Sequence, residues 1–409
     1  MKFPALSPKI IILSDQVVFS GTSFVITLLV ARSTDVAGFG VYSGYVLAIY
    51  LAVSAIGAWT IQPFQVLLGK TENVPVYTSF IITLQLVLIV LVSVIIAAVM
   101  SIWFSQVPVS VVFFAIGFLF HDFGRKLLLA LNKPIQTFIT DCVVSIGLLI
   151  ASVVFMLFGQ GDIYKLMMLF SGAYLVSLVL IVWYTRPFVL QRTAFVAFLK
   201  LHFSEGKWLF STALVQWWSG NMFVVASGIY LGAAALGALR LGQSLFGVLN
   251  IILQTFENYV LPQTALRLKE SQASALHFLS SISRKAGLFF IPILIVAFFG
   301  STQLMILAGG QAYSEYGYVV RWLSILYIFI FISQPIRILI RSLLLNKHFF
   351  YGYVLSLVFA LSMSHFLLST YELNGAILGL IVSQLLLMVY WVYVLQSQKV
   401  NLWKSFTSF

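Results

Sequence analysis

Residues 234–262 read AALGALRLGQSLFGVLNIILQTFENYVLP. Arg240, Gln243, Gly247, Asn250, Gln254 and Glu257 recur at spacings of three and four, which places all six on one face of an α-helix. Leu, Val, Ile and Phe fill the other faces. Such a helix is costly to bury, because it carries a cation toward one end and a carboxylate toward the other. Inside a membrane span, ionisable groups usually face a water-filled cavity and mark a pathway. The competing account is a helix–helix seam, with Gly247 permitting close approach and the amides bonding across it. That explains Gln243, Asn250 and Gln254. It explains Arg240 poorly, since arginine keeps its charge at any accessible pH.

The rest of the chain identifies the medium. Of 409 residues, 61% are hydrophobic and only 8% charged, and the mean hydropathy is +1.05. A soluble domain carries about 25% charged residues, so the expected class is an all-α integral membrane protein. The single cysteine, Cys142, excludes a disulfide framework and a cysteine-rich metal site. The net charge of +12 is scattered among apolar stretches rather than clustered, which points to membrane lipids and topology and away from nucleic acid.

A hydrocarbon core needs roughly 20 apolar residues per helix. By that measure twelve spans are expected: 11–31, 38–68, 76–102, 108–131, 135–158, 163–185, 208–231, 234–262, 286–308, 318–345, 349–369 and 374–396. The length of the first, with Asp15 and Gln16 early in it and no small-residue cleavage site, argues that it is retained. With both termini cytoplasmic, only Arg32, Lys165, Arg240 and Arg321 of the 23 Lys and Arg fall on the outer side. In this orientation Arg240 lies in the outer half of its span and Glu257 in the inner half.

Outer connections are short, so no extracytoplasmic domain is expected. Two inner segments are longer. Residues 186–207 set Phe188, Phe195 and Leu199 among Arg192, Lys200 and His202, and 263–285 are similar; each reads as an interfacial helix or as a solvated basic loop. The first divides the chain into expected lobes 1–195 and 196–409. Short matches link the halves: Ala37-Gly38-Phe39-Gly40-Val41 with Ala234-Ala235-Leu236-Gly237-Ala238, and Leu131-Asn132-Lys133 with Leu345-Asn346-Lys347. Six spans per lobe would relate the two by a pseudo-two-fold along the membrane normal, an alternating-access layout.

Other polar groups lie inside spans. Asp15, at the cytoplasmic end of span one, is either a carboxylate favoured by the helix dipole or an ionisable group in an inner vestibule. Arg32 closes that span as an interfacial anchor or a substrate contact. His121 with Arg125, and Asp122 with Lys126, are i,i+4 neighbours on span four. They form a proton relay or a gate salt bridge, and Asp141 on span five is in reach of the same bases. Arg321 is a second candidate cation for the cavity. Gln216, Trp217, Trp218 and Asn221 lie well inside span seven, where the indoles either stack on a sugar ring or simply pack. A kink is expected at Pro335. No phosphate-cradling glycine loop, zinc-binding motif or nucleophile elbow occurs, so no enzyme activity, cofactor or metal is expected.

The stretch Leu13-Ser14-Asp15-Gln16, followed by Ser20-Gly21, Leu29-Val30-Ala31-Arg32 and Phe39-Gly40-Val41-Tyr42, resembles bacterial polysaccharide flippases of the O-antigen (Wzx) type. So do Trp217-Trp218-Ser219-Gly220-Asn221 and the run from Leu231 to Arg240 that continues through Gln243 to Phe256-Glu257-Asn258. That resemblance implies a MATE-like, two-lobed carrier in the bacterial inner membrane that moves undecaprenyl-diphosphate-linked oligosaccharide. It implies coupling to H+ or Na+, and polysaccharide polymerase and chain-length proteins as further partners. In that picture Arg240 contacts a diphosphate or an acidic sugar, and Asp15, Glu257 or Asp122 serves coupling. Two alternatives stand beside it. A multidrug cation antiporter of the same superfamily would want an acidic, aromatic cavity. A membrane polymerase or ligase would want longer outer loops.

Overall fold

The computed structural model describes residues 8–104, 109–159 and 161–400. Lys2 and Lys404, two of the lysines expected on the cytoplasmic side, lie outside them, as does most of 103–107, the expected outer connection between spans three and four. Every regular element among the described residues is helical. Eight helices are long and apolar enough to cross a membrane, nine if one bent pair is a single span. The chain is a multi-pass membrane protein, and it divides into two compact units, Met1–Leu214 and Val215–Phe409.

The first unit contains α1 (Pro8–Ser33), α2 (Val36–Trp59), α3 (Ile61–Leu67), α4 (Val74–Phe104), α5 (Val109–Ala130), α6 (Pro134–Phe158) and α7 (Ile163–Tyr184), and the start of α8 (Arg192–Leu231). α5 packs on α4 and α7, and α6 on α1 and α7. The sequence of α6 shows why. Its buried face is Thr137, Thr140, Asp141, Val144, Ser145, Leu148, Ala151, Ser152 and Phe155, while Ile139, Ile146, Ile150 and Val153 point outward. Apart from Leu148 and Phe155 the inner face is small or polar and the outer one large and aliphatic, the reverse of a soluble helix. It is the pattern of a helix whose solvent is lipid and whose neighbours approach closely.

The basic segment before span seven is not a separate helix. From Arg192 it is continuous with that span in the 40-residue α8, about 60 Å at 1.5 Å per residue. Its first turns dock on the first unit through aromatic contacts, Phe195 on Phe80 at 4.9 Å and Phe198 on Tyr77 at 4.5 Å. His202 is buried between two partners, with Nε2 2.7 Å from the Tyr77 hydroxyl and Nδ1 3.1 Å from the Trp59 carbonyl. A neutral imidazole satisfies both, donating from Nδ1 and accepting at Nε2. Burial lowers the His202 pKa below its ordinary value, against the smaller raising effect of the Trp59 carbonyl. Because the docked state holds this proton less readily, docking is complete above the ordinary histidine pKa of about 6.5 and weakens as pH falls below it. Hydrogen exchange of residues 192–207 is therefore expected to accelerate as pH drops below about 6.5, after correction for the intrinsic rate. Equal acceleration in His202→Gln would show that another group is responsible.

The second unit contains α9 (Ala233–Leu245), α10 (Gly247–Thr255), α11 (Leu261–Glu270), α12 (Gln272–Phe299), α13 (Ser301–Gly309), α14 (Gly317–Ser342) and α15 (Asn346–Ser397). The expectation of one straight helix over 234–262 is overturned. A bend of 54° separates α9 from the helices after it, and residues Phe256–Val260 form a π-helical turn. The bend falls at Phe246–Gly247, where glycine weakens the helix. The wider turn falls just ahead of Pro262, whose ring clashes with the carbonyl four residues back and which donates no hydrogen bond. The six polar residues are therefore divided between α9, α10 and the π turn rather than carried on one unbroken α-helix. The span expected at 286–308 is likewise divided, between α12 and α13 at Gly300. α14 runs through Pro335 as one helix. The backbone of α15 leaves helical geometry at Glu372 (φ 51°, ψ −133°).

The two units repeat one turn. After α5, Asn132 has φ 57° and the Lys133 N–H donates to the Leu128 carbonyl at 2.9 Å. After α14, Leu344 has φ 57° and the Leu345 N–H donates to the Ile340 carbonyl at 3.1 Å. Both are the left-handed cap that ends a helix. The sequence match aligns Asn132 with Asn346, whereas the turn aligns it with Leu344, two residues earlier. A leucine in this conformation costs about 1–2 kcal/mol, and Leu344 is 78% exposed, so its side chain offers little packing in return. Leu344→Gly is expected to raise thermal stability in detergent by about 1 kcal/mol. A lower melting temperature would contradict this.

Candidate functional site

Two polar assemblies stand out, one in each unit. The first is built around Arg125 on α5. Its Nη2 donates to Asp15 Oδ2 at 2.8 Å, and its Nε pairs with Asp141 Oδ2. Phe19 covers the guanidinium, with the ring centroid 3.7 Å from Cζ. His121, one turn earlier, lies with Nε2 3.6 Å from Asp141 Oδ1 and with Nδ1 2.8 Å from the Ser177 hydroxyl of α7. All four ionisable residues are buried, the most exposed being Arg125 at 9%. Asp15 Oδ1 and Asp141 Oδ1 have no hydrogen-bond partner among the described residues. Two carboxylates thus share one guanidinium, a set that a single proton would bring to charge balance.

This geometry revises one expectation and sharpens another. Asp15 does not act as a dipole-stabilised carboxylate at the helix start, because it lies seven residues into α1 and pairs across to α5. Asp141 does meet Arg125. Asp122 stands apart, pairing with Lys126 at 2.6 Å on the more open side of α5.

The second assembly is a cavity of about 270 Å³ within Val215–Phe409, walled by α8, α9, α14 and α15. Gln243, Tyr327, Ser333, Gln384 and Arg337 are among its lining residues. Gln384 Nε2 donates to the Ser333 hydroxyl at 2.7 Å, and the Tyr327 hydroxyl donates to Asn250 Oδ1 at 3.3 Å. Arg240 Nη1 donates to Gln243 Oε1 at 3.1 Å, coupling the cation of the polar row to the cavity wall. Glu257 accepts from Arg341 and lies with Oε1 3.2 Å from Arg337 Nε. The carboxylate of the row is therefore an anchor for two arginines.

The remaining sequence candidates are dispersed. Asn250 and Gln254 are exposed, both beyond the bend. Arg32 is exposed at the end of α1, and Arg321 is exposed with its guanidinium 5.8 Å from the Phe298 ring centroid. Trp217 and Trp218 are half-buried and perpendicular, with centroids 5.1 Å apart. Asn221 Nδ2 is spent on the Trp217 carbonyl at 2.8 Å, and Gln216 is half-buried on α8. Sequence reasoning missed Arg337 and Arg341 as partners of Glu257, although their i,i+4 spacing was a signal. It missed the cavity serines too. Isolated serines in apolar helices usually bond their own backbone, so these carried no signal.

The fold formed by these helices is shared with several solved structures of membrane transporters. Over 97% of this chain and 89% of the other, it superposes on a structure described as the lipid II flippase MurJ in an inward closed conformation, with TM-score 0.71 and 15% identity. A structure of the MATE multidrug transporter DinF-BH matches with TM-score 0.68 and 15% identity, over 98% of this chain and 96% of that one. An inward-facing multidrug-resistance MATE family transporter of the MOP superfamily gives 0.63 at 11% identity, over 93% and 94%. No protein-family profile and no curated protein matches the sequence.

Proposed function

We propose that this chain is a flippase for undecaprenyl-diphosphate-linked oligosaccharide, working by alternating access in the bacterial inner membrane. The observation that carries the reading is the chemistry of the second-unit cavity. Its lining contains hydroxyls, amides and Arg337 but no Asp or Glu, which suits a hydroxylated or anionic cargo and not an organic cation. Arg240, braced on Gln243 in that wall, supplies a guanidinium able to take a diphosphate in bidentate fashion. The fold shared with a lipid II flippase is consistent with a lipid-linked cargo.

In this reading the chain crosses the membrane twelve times. The crossings are α1, α2 with α3, α4, α5, α6, α7, the later part of α8, α9 to α11, α12 with α13, α14, and the two halves of α15. A 52-residue helix spans about 78 Å, more than twice a hydrocarbon core of roughly 30 Å, so the break at Glu372 is the turn between two crossings. Both termini are then cytoplasmic, and two lobes rock against each other. The boundary expected at 195/196 is shifted to Leu214/Val215, because the start of α8 docks on the first unit. The Asp15–Arg125–Asp141 cluster is the ion-coupling element, because two buried carboxylates on one guanidinium are a place where an H+ would bind or leave. Polysaccharide polymerase and chain-length proteins would take up the delivered unit.

The test is Arg240→Ala in a flippase-deficient strain. At normal expression it is expected to leave surface glycan unrestored, and full restoration would remove Arg240 from the mechanism. A multidrug antiporter is the second reading, kept by the acidic cluster of the first unit. It would show instead as raised resistance across a panel of cationic drugs.

A further inference from the structure

Arg337 and Arg341 stand one helical turn apart on α14, and both converge on one carboxylate. Glu257 accepts from Arg341, whereas its Oε1 lies 3.2 Å from Arg337 Nε without a hydrogen bond between them. The two guanidiniums also gather about the Phe349 ring, 5.7 and 5.9 Å from its centroid. Ile336, Ile338, Leu339 and Ile340 are buried in the core of the unit and hold this stretch of α14 in place. The charged side chains stay accessible, Arg337 at 31%, Arg341 at 35% and Glu257 at 24%.

The charges do not balance. Arginine keeps its charge at any accessible pH, and one carboxylate supplies at most one negative charge, so the trio is cationic throughout. Residues 215–409 contain three further carboxylates, Glu270, Glu315 and Glu372. Glu270 accepts from Ser274, Glu315 precedes α14, and Glu372 is within electrostatic range of Tyr318 at the start of α14, the end far from Arg341. None pairs with either guanidinium among the described residues. A fixed surplus cation in an apolar unit is costly and calls for a counter-anion. The favourable place of a cation at a helix C-terminus explains Arg341 alone. It does not explain a second guanidinium held beside the same carboxylate. Glu257 offers two oxygens to two forks. A phosphate offers more, enough to take a guanidinium in bidentate fashion. Arg337 lines the cavity of about 270 Å³, and Tyr353 lines it too, within electrostatic range of all three charged groups and with a hydroxyl to donate.

We infer that Arg337 and Arg341 form a binding site for a lipid-borne phosphate, and that Glu257 is the built-in counter-ion which the phosphate displaces. The site goes beyond the flippase reading, which supplies only one of its two sources: the diphosphate of a lipid-linked cargo, or the headgroup phosphate of an anionic membrane lipid.

The experiment is a thermal-shift titration of the full-length protein in neutral detergent with sodium pyrophosphate, against sodium chloride at equal ionic strength. Pyrophosphate is expected to stabilise the wild type. Arg337→Gln and Arg341→Gln are each expected to weaken its binding roughly tenfold, the loss of a charge-assisted hydrogen bond. Glu257→Gln is expected to bind it roughly tenfold more tightly, because the competing carboxylate is gone. A variant that merely misfolds does not gain affinity, so this gain is the decisive result. Where a glutamine variant fails to fold, Arg337→Lys keeps the charge without the fork and is still expected to weaken binding. The inference is overturned if pyrophosphate stabilises the wild type no more than chloride does, if the arginine variants bind it unchanged, or if Glu257→Gln binds it less tightly. Phosphatidylglycerol and undecaprenyl diphosphate are then set to compete with pyrophosphate on the wild type. Displacement by the first assigns the site to a membrane lipid and by the second to the cargo, and displacement by neither overturns a lipid-borne phosphate. Export of surface glycan, assayed in parallel, tests the flippase reading by itself. These binding signatures in a protein that exports no glycan keep the site and remove that reading, and export without them does the reverse.

Discussion

Arg125→Leu is expected to destabilise the protein by about 3–5 kcal/mol, the penalty for removing one partner of a buried charge group. The size follows from what stays behind. Asp15 and Asp141 are 2% and 1% exposed, both lean on the same guanidinium, and one oxygen of each is unpartnered already. Without Arg125 they would face each other in a low-dielectric interior, with the His121 ring 3.6 Å from Asp141 but no guanidinium between them. The leucine does not compensate, because it replaces five donors with none. The triple variant Asp15→Asn, Arg125→Leu, Asp141→Asn separates charge from shape. Neutral groups of similar volume are expected to recover most of the lost stability, since buried ion pairs contribute little beyond their own desolvation cost. Thermal melts in detergent decide it. An Arg125→Leu protein melting near the wild type would show that the carboxylates have another partner, and a triple variant no better than the single would show that packing, not charge, is at stake.

The contrast between this cluster and the polar row shows what a one-dimensional reading can see. Charges in an apolar chain must find one another, so Asp141 on a neighbouring span was a visible partner for Arg125. Asp15 was visible as an anomaly, but its pairing across 110 residues depends on α1 packing against α6, which no local pattern encodes. The row from Arg240 to Glu257 was legible only on the assumption of unbroken 3.6-residue periodicity. Glycine is common in membrane helices, so Gly247 did not announce a 54° bend. A π turn shifts later residues around the axis without any signature of its own. Glu257 consequently faces Arg337 and Arg341, which looked like ordinary topology-setting cations at the end of span ten. The membrane class was written in composition alone, and the inside-out face of α6 is its local expression.

Trp391→Ala should be the other severe substitution, at about 3 kcal/mol. Trp391 is 1% exposed, stacks on Phe349 at 5.3 Å with an 8° interplanar angle, and meets Tyr353 edge-on at 5.6 Å. Gly352 packs against its Nε1 edge, and a Cβ there would collide with Nε1 and lie 3.0 Å from Cε2, so the ring fills space that only a glycine leaves open. In a soluble core much of the cost of such a truncation is transfer to water. Here the unfolded reference is lipid, about as apolar as the core, so that part shrinks and the cavity and lost dispersion dominate. That places the expectation at the lower end of the roughly 3–5 kcal/mol found for Trp→Ala. Trp391→Phe keeps a ring on Phe349 but removes the Nε1 donor and part of the indole volume, so it should cost about 1–2 kcal/mol, less than the truncation to alanine. Unfolding in a denaturing-detergent titration ranks the two. Equal losses would mean that what indole alone supplies against Gly352 holds the ring in place, whereas a large gap would mean that the stacking on Phe349 does.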